Sequence, residues 1–488
     1  KNKKFNVKFQ SKGVDNIANF HSFLTDSIGF SGDDNGKTSG LASYGKIQQP
    51  LKKEFLKLIR IKKNIGVKFK RERFNKTNVN LSKIKADSYD RTKIFNFYPS
   101  DTNIFRLGAE YLPHDIAATG EEVLRESVQN LIKILRKETS LKNIVFSGGL
   151  FQNVGLNQNL LESEFEEVYF PSAPSDSGLS LGAALFIKNK KIANSKKTLS
   201  AYLGPSFSNK EIKQVLDSHR MIYSKPKNLI KKTAQLISAG KTIGWFQGRG
   251  EYGPRSLGSR SLVADPRKIR SKEKINQLLK KRDWFMPYAP SILEEDYKDW
   301  IEREHYSPYM QVAFYMQKDK ISKVPSAVHV DGTSRVHVVR KSENILYWNL
   351  IKEFKRITKI PVLLNTSFNR HGISTISTPR QAIEHLLEGC MDFLVIDEYL
   401  VSFEENRKII NKKQIIETED YLLKMNAIKR LDVFKKFGSK KQLSSYINKL
   451  SSLIGEEIIF ENKKSIILKN KKFDLDSIQI RLKKLLKS

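Results

Sequence analysis

Short apolar runs that end on glycine turns and feed helices set the fold class of this chain. Residues 143–146, NIVF, run into Ser147-Gly148-Gly149 and then a helical stretch through Asn153 and Leu160. Residues 167–170 run into PSAPSDSG and the helical stretch LSLGAALFI. Strand, glycine turn and helix, repeated, is an α/β pattern. Residues 242–246, TIGWF, and 361–364, PVLL, read as further buried strands, and 393–396 as a last one. A glycine turn opening a helix gathers free amides and the positive helix end at one point, which suits a nucleotide phosphate. Such turns also occur with nothing bound. Ser147, Gly148, Gly149 and Asn153 therefore carry two readings, nucleotide binding in a first domain or plain fold geometry.

The strand at 242–246 opens the stretch richest in chemistry, KTIGWFQGRGEYGPRSLGSRSLVADPR at 241–267. Glycines stand at 248, 250, 253 and 258, with Arg249, Arg255 and Arg260 spaced between them. Glycine lets backbone amides approach a ligand closely. Guanidinium forks match phosphate and carboxylate oxygens two at a time. The pattern suits a ligand with several negative charges, with the three arginines as catalytic clamps and Gln247, Glu251, Gly253 and Ser256 lining the site. The plainer reading is a basic, flexible surface loop. Downstream, Asn365, Thr366 and Ser367 are expected at the end of a buried strand, where α/β ligands tend to sit. Residues 328–339 alternate around Asp331-Gly332, a hairpin signal that would present Arg335 and His337. A helix near 271–281 would bring Lys281 close. His371 is left without a role.

Composition sets limits on partners. The chain has 488 residues, enough for two to three domains. No apolar run approaches the roughly 20 residues a membrane helix needs, and no secretory signal is visible after KNKKFNVKFQ. One cysteine, Cys390, excludes an internal disulfide and a Cys-based zinc site and fits a cytoplasmic setting. The net charge of +35 would suit nucleic acid, but it comes mostly from lysines spread along the whole chain. Solvated faces are the simpler reading, and nucleic acid is not the expected partner.

Helices are expected at 16–30, 113–138, 209–218 and 227–239, the second with apolar residues at helical spacing from Val123 to Leu135. Residues 50–105 are Lys-rich and poorly periodic and read as a peripheral insertion. A polar linker at 188–210 divides a first domain, 1–195, from a second, 196–405. The Lys-rich tail, 406–488, reads as a mostly helical appendage that packs on the second domain or a partner, or touches an anionic membrane.

Six stretches in order resemble the carbamoyltransferases of the NodU/CmcH type. They are GKTSGLASYG, FSGGLFQNVGLNQNL, PSAPSDSGLSLGAAL, the arginine loop, VHVDGTSRV, and PVLLNTSFNRHGISTISTPRQAIEHLLEGCMDFLVID. The resemblance covers roughly residues 15–405. It implies the end of an actin-like ATPase-type domain followed by a domain like the threonylcarbamoyl-adenylate synthases. It implies that carbamoyl phosphate and ATP, the latter with Mg2+, form a carbamoyl adenylate that carbamoylates a hydroxyl of a sugar or metabolite. A tRNA-modifying relative that binds nucleic acid is the alternative. Family members are often dimers, so a homodimer is expected. Asp176 matches a family ligand to a divalent metal, with Fe2+ among the candidates, though an aspartate before a helix is also an ordinary N-cap. The family's other ligands include a histidine pair four apart, and no two of the eight histidines here have that spacing. The expectation is that this chain lacks the family's N-terminal segment. The family usually has an arginine where Met286 stands, with Lys280 and Lys281 as neighbours that compensate.

Overall fold

The computed structural model describes residues 16–30, 34–62, 66–69, 110–191, 200–276, 283, 285–370 and 373–409, and three runs in the tail, 459–462, 465–468 and 471–474. The strands in chain order are β1 (Ile59–Lys62), β2 (Gly66–Phe69), β3 (Asn143–Val145), β4 (Glu167–Tyr169), β5 (Ile243–Phe246), β6 (Arg260–Ala264), β7 (Ala289–Leu293), β8 (Phe314–Tyr315), β9 (Thr333–Ser334), β10 (His337–Val339), β11 (Val362–Ser367), β12 (Phe393–Ile396) and β13 (Tyr399–Ser402). Seven of them form one sheet in the order β10-β7-β11-β6-β5-β12-β13. The β7–β10 and β5–β12 pairs are parallel and the others antiparallel, so the sheet is mixed.

The central strands are apolar on both sides because both faces are covered. Successive side chains point to opposite faces. Phe246, Leu262, Leu364 and Ile396 pack with Ile212, Leu216, Ile383 and Leu386. These partners come from the helices Asn209–Ser218 and Pro379–Leu387. Trp245, Val263, Leu363 and Val395 pack the other way, with Ala234, Ile237, Leu350 and Phe354. Those belong to the helices Leu229–Ser238 and Ile345–Thr358. The result is a helix–sheet–helix sandwich with the loops of the sheet at its rim.

Upstream, the helices Ile17–Ser27, Asn35–Ala42 and Gln49–Leu58 pack on the long helix Pro113–Lys137. Gly120 lets two of them touch, since a Cβ there would lie 2.3 Å from Leu24 Cδ1. β3 and β4 form a parallel pair. The core of this region runs on into Phe285, Ile292, Val338 and Val362, so one apolar interior joins it to the edge of the large sheet. The described residues from 16 to 403 lie within one compact unit, and those from 404 onward belong to a second.

Several expectations need correction. The start of the supposed insertion is core, because Gln49–Leu58 buries Leu51, Phe55 and Leu58 and leads into the β1–β2 hairpin. Residues 70–105 lie outside the described residues. The helix Leu179–Lys191 runs past 188, where the linker was expected to start. Residues 328–339 form no hairpin. The turn at Asp331-Gly332 is present, with the His329 amide donating to Thr333 O at 2.8 Å, but β9 pairs with β8 and β10 with β7. β11 runs to Ser367, three residues further than expected, and Asn365, Thr366 and Ser367 form its end as the sequence indicated. In the tail, runs 459–462, 465–468 and 471–474 form a three-stranded antiparallel sheet, which the mostly helical expectation for 406–488 had not placed. The helical expectation for 410–458 falls outside the described residues.

Candidate functional site

The arginine loop joins β5 to β6 and folds around the Glu251 carboxylate. Oε1 accepts from the amides of Leu257 (2.8 Å), Ser259 (2.7 Å) and Arg260 (3.1 Å). These amides would otherwise face an anion. Glu251 therefore holds the loop in shape. Gln247 is also structural, its amide nitrogen donating to Asp397 O at 2.8 Å.

The three arginines divide by what they touch. Arg260 is 1% exposed, lies over the Phe246 ring at 3.6 Å, and donates to the carbonyls of Gln247, Ser259, Pro205 and Gly248 at 2.9–3.2 Å. Burial lowers its pKa to about 10, which leaves it charged at neutral pH. Arg249 is exposed and spends its guanidinium on Gly204 O (3.1 Å) and Leu203 O (2.9 Å). Both tie the loop to residues 203–205. Arg255 makes one protein bond, from Nη2 to Gln152 O at 3.0 Å, while its Nε is buried with no partner. Desolvation lowers its pKa to about 10 as well.

The Gln152 bond places Arg255 against the turn that starts at Gly149, so the two glycine turns singled out in the sequence meet here. The loop is seated closely on the upstream half. Tyr252 Oη donates to Ser177 O and lies 3.0 Å from Ser180 Oγ. Gly253 has φ +121°, and a Cβ there would fall 2.4 Å from Ser172 O.

Under the loop, Asn365 Nδ2 donates to Ser256 O (3.1 Å) and to Ser291 Oγ (3.0 Å). Ser291 Oγ is 3.0 Å from His337 Nδ1. Asn365, Ser291 and His337 are all buried. Burial pushes the His337 pKa down to about 3, so the ring is neutral at pH 7. Asn365 Oδ1 and Ser256 Oγ are buried without partners. Arg255 Nε, Ser256 Oγ and Asn365 Oδ1 thus stand unsatisfied on two adjacent loop residues and the strand residue bonded to them. Arg260 Nε in the same loop and Tyr347 Oη are buried without partners as well, and each such atom calls for an explanation.

Thr366 is buried within β11, and Ser367 ends that strand. Arg335 is partly buried between β9 and β10. Lys280, Lys281 and His371 lie outside the described residues. Met286 lies against Gly40, 3.3 Å from the position of a Cβ there, and joins the core. Ser147, Gly148 and Gly149 are exposed, with Gly148 at φ +126° and Ser147 Oγ donating to Pro174 O at 3.1 Å.

Asn153 is occupied at both ends. Its oxygen caps the helix Val154–Leu160 through the Leu156 amide at 3.0 Å, and its nitrogen donates to both Glu121 oxygens, at 3.1 and 2.8 Å. Glu121 also binds His21 Nε2 (2.9 Å) and Ser39 Oγ (2.6 Å). Burial alone would raise its pKa, but His21, Ser39 and Asn153 hold it at about 2. No motif marked Glu121, which looks in the sequence like one more polar residue of a long helix.

Asp176 does not act as the N-cap. Ser175 takes the cap position before the turn Asp176–Gly178, without a capping bond, and Asp176 is exposed. No group of three or more His, Cys, Asp or Glu among the described residues is placed to hold a metal ion. These residues do not fit the expected divalent metal.

Residues 2–185 match the family model for the carbamoyltransferase N-terminus, and residues 234–402 the model for the carbamoyltransferase C-terminus. An uncharacterised protein of Methanocaldococcus jannaschii is 31% identical over 405 residues, covering 80% of this chain and 73% of that protein. The chain belongs to the carbamoyltransferase family. Another uncharacterised protein of the same organism is 32% identical over 396 residues, covering 79% of this chain and 62% of its own length. Nodulation protein NolO of Bradyrhizobium diazoefficiens is 33% identical over 296 residues, covering 59% of the chain and 54% of its own length. The carbamoyltransferase chain thus spans less than two thirds of each of these last two. Among its described residues no helix is long and apolar enough to cross a membrane.

Proposed function

We propose that this chain is an O-carbamoyltransferase whose arginine-loop half activates carbamoyl phosphate with ATP. The observation that carries the reading is the unsatisfied set Arg255 Nε, Ser256 Oγ and Asn365 Oδ1. It offers a cationic donor, a hydroxyl and a carbonyl acceptor. Carbamoyl phosphate presents anionic oxygens, a carbonyl and an amino group. Arg255 would take phosphoryl oxygens, since a desolvated guanidinium is the strongest anion donor in the cluster. Arg249 and Arg260 hold the loop in shape, so their contribution is preorganisation rather than contact.

In this reading carbamoyl phosphate and water give carbamate and phosphate. A carbamate oxygen then attacks the α-phosphorus of ATP, which enters as its magnesium complex, and pyrophosphate leaves. The loop's tasks are to position the two anions and stabilise the charge that shifts between them, the main protein contributions to phosphoryl transfer. A hydroxyl of a sugar or metabolite would then displace AMP from the carbamoyl carbon. The domain division at 195, the likeness of the halves to actin-like ATPases and threonylcarbamoyl-adenylate synthases, a homodimer and a cytoplasmic setting belong to the same proposal. No step is assigned to a metal at Asp176.

The test is pyrophosphate release from ATP and magnesium with and without carbamoyl phosphate, with Arg255→Ala as control. Release that needs carbamoyl phosphate and falls by about 100-fold or more in the variant supports the reading. Absence of release, with salt-dependent tRNA binding in its place, would move the chain to the tRNA-modifying alternative.

A further inference from the structure

Asn365 is held in one orientation by groups that read its amide. Ser256 O can only accept, so the atom facing it at 3.1 Å is the amide nitrogen. The other N–H reaches Ser291 Oγ at 3.0 Å. Ser291 then has its own proton left to give, and His337 Nδ1 at 3.0 Å takes it when the ring carries its proton on Nε2. With that tautomer the donors run one way, from Asn365 through Ser291 to His337. Turning the amide over would set two oxygens against each other at Ser256. Asn365 Oδ1 is thereby fixed as a buried acceptor, and no protein group pairs with it. A buried acceptor of this kind penalises any ligand that cannot donate to it.

We propose that Ser291 and His337 are positioning residues that hold Asn365 to read the amino group of carbamoyl phosphate, so that this site rejects acyl phosphates lacking an N–H. The proposal rests on the carbamoyl phosphate reading of the arginine loop. It adds the end of the substrate that is recognised and the two residues responsible. The sequence marked His337 as presented by a turn and did not mark Ser291, and neither needs to touch substrate.

Acetyl phosphate is the discriminating probe, because a methyl group replaces the amino group at nearly the same size. Calorimetric titration of the full chain with carbamoyl phosphate and with acetyl phosphate, without ATP, gives the ratio of affinities. Wild type should favour carbamoyl phosphate by roughly 100-fold. Ser291→Ala and His337→Leu should bring the ratio to within about 3-fold of unity, mainly by weakening carbamoyl phosphate. His337→Gln keeps an acceptor for the Ser291 proton and should retain most of the preference. Thermal unfolding of each variant separates misfolding from lost recognition. Equal loss of both ligands in Ser291→Ala, with the ratio unchanged, would make the relay merely structural and overturn the inference. So would a wild type that binds both ligands equally, which leaves the anion site standing. Failure of wild type to bind carbamoyl phosphate at all would bring down the parent reading and the inference with it.

Discussion

Two buried polar clusters among the described residues differ in how completely the protein satisfies them. Around Glu121, His21, Ser39 and Asn153 supply four hydrogen bonds to one carboxylate. Around Asn365, the loop leaves Arg255 Nε, Ser256 Oγ and Asn365 Oδ1 without partners. The first cluster joins the helices Ile17–Ser27, Asn35–Ala42 and Pro113–Lys137 to the Asn153 turn. The second lies beneath a loop pinned from both sides by Glu251, Arg249 and Arg260. A closed network holds a fold together, whereas an open one inside a rigid frame is set up for a ligand.

The comparison can be broken most forcefully at Glu121. Replacing it with alanine removes the acceptor for four bonds and should cost about 3–5 kcal/mol of unfolding free energy. Denaturant unfolding followed by circular dichroism would read it. A loss under about 1 kcal/mol would mean the network is not a keystone.

Acid should affect the two clusters in different pH windows. The Glu121 pKa lies below its ordinary value, at about 2 instead of 4.5. Its stabilisation is present above 4.5 and is lost as pH falls from there to about 2. His337 is a base whose pKa is lowered to about 3 from 6.5. The unfolded chain therefore takes up its proton first, and stability falls with pH between 6.5 and 3. Thermal melts across that range should decline as pH falls, and His337→Gln should weaken the upper part of the decline, to which the lowered pKa values of His305 and His385 also contribute.

Gly258 sharpens the comparison at the loop. It has φ +89°, and a Cβ there would stand 2.1 Å from the Tyr347 ring. Gly258→Ala should cost about 1–3 kcal/mol and weaken carbamoyl phosphate binding, because the frame over the open cluster must shift. Arg249→Ala should change stability least, within about 0.5 kcal/mol, since its two carbonyl bonds are at the surface.

The large elements were legible in the sequence because their signals are local. The helix Pro113–Lys137 follows its apolar spacing, and β12 occupies the expected residues 393–396. Leu51, Phe55 and Leu58 were overlooked because the Lys-rich run around them hid a short amphipathic helix. The arginines show the other limit. Composition brings Arg249, Arg255 and Arg260 out equally, yet Leu203, Gly204 and Pro205, some 45–55 residues upstream, absorb two of them. Glu121 shows it again, since its partners His21 and Ser39 are 100 and 82 residues away.

Calorimetric titration of carbamoyl phosphate into wild type and Arg255→Ala tests the central claim most directly. The claim is that the open cluster is an anion site with Arg255 as its clamp. Wild type should bind, and the variant should bind at least about 100-fold more weakly while unfolding within about 1 kcal/mol of wild type. Equal affinity in both proteins would contradict the account.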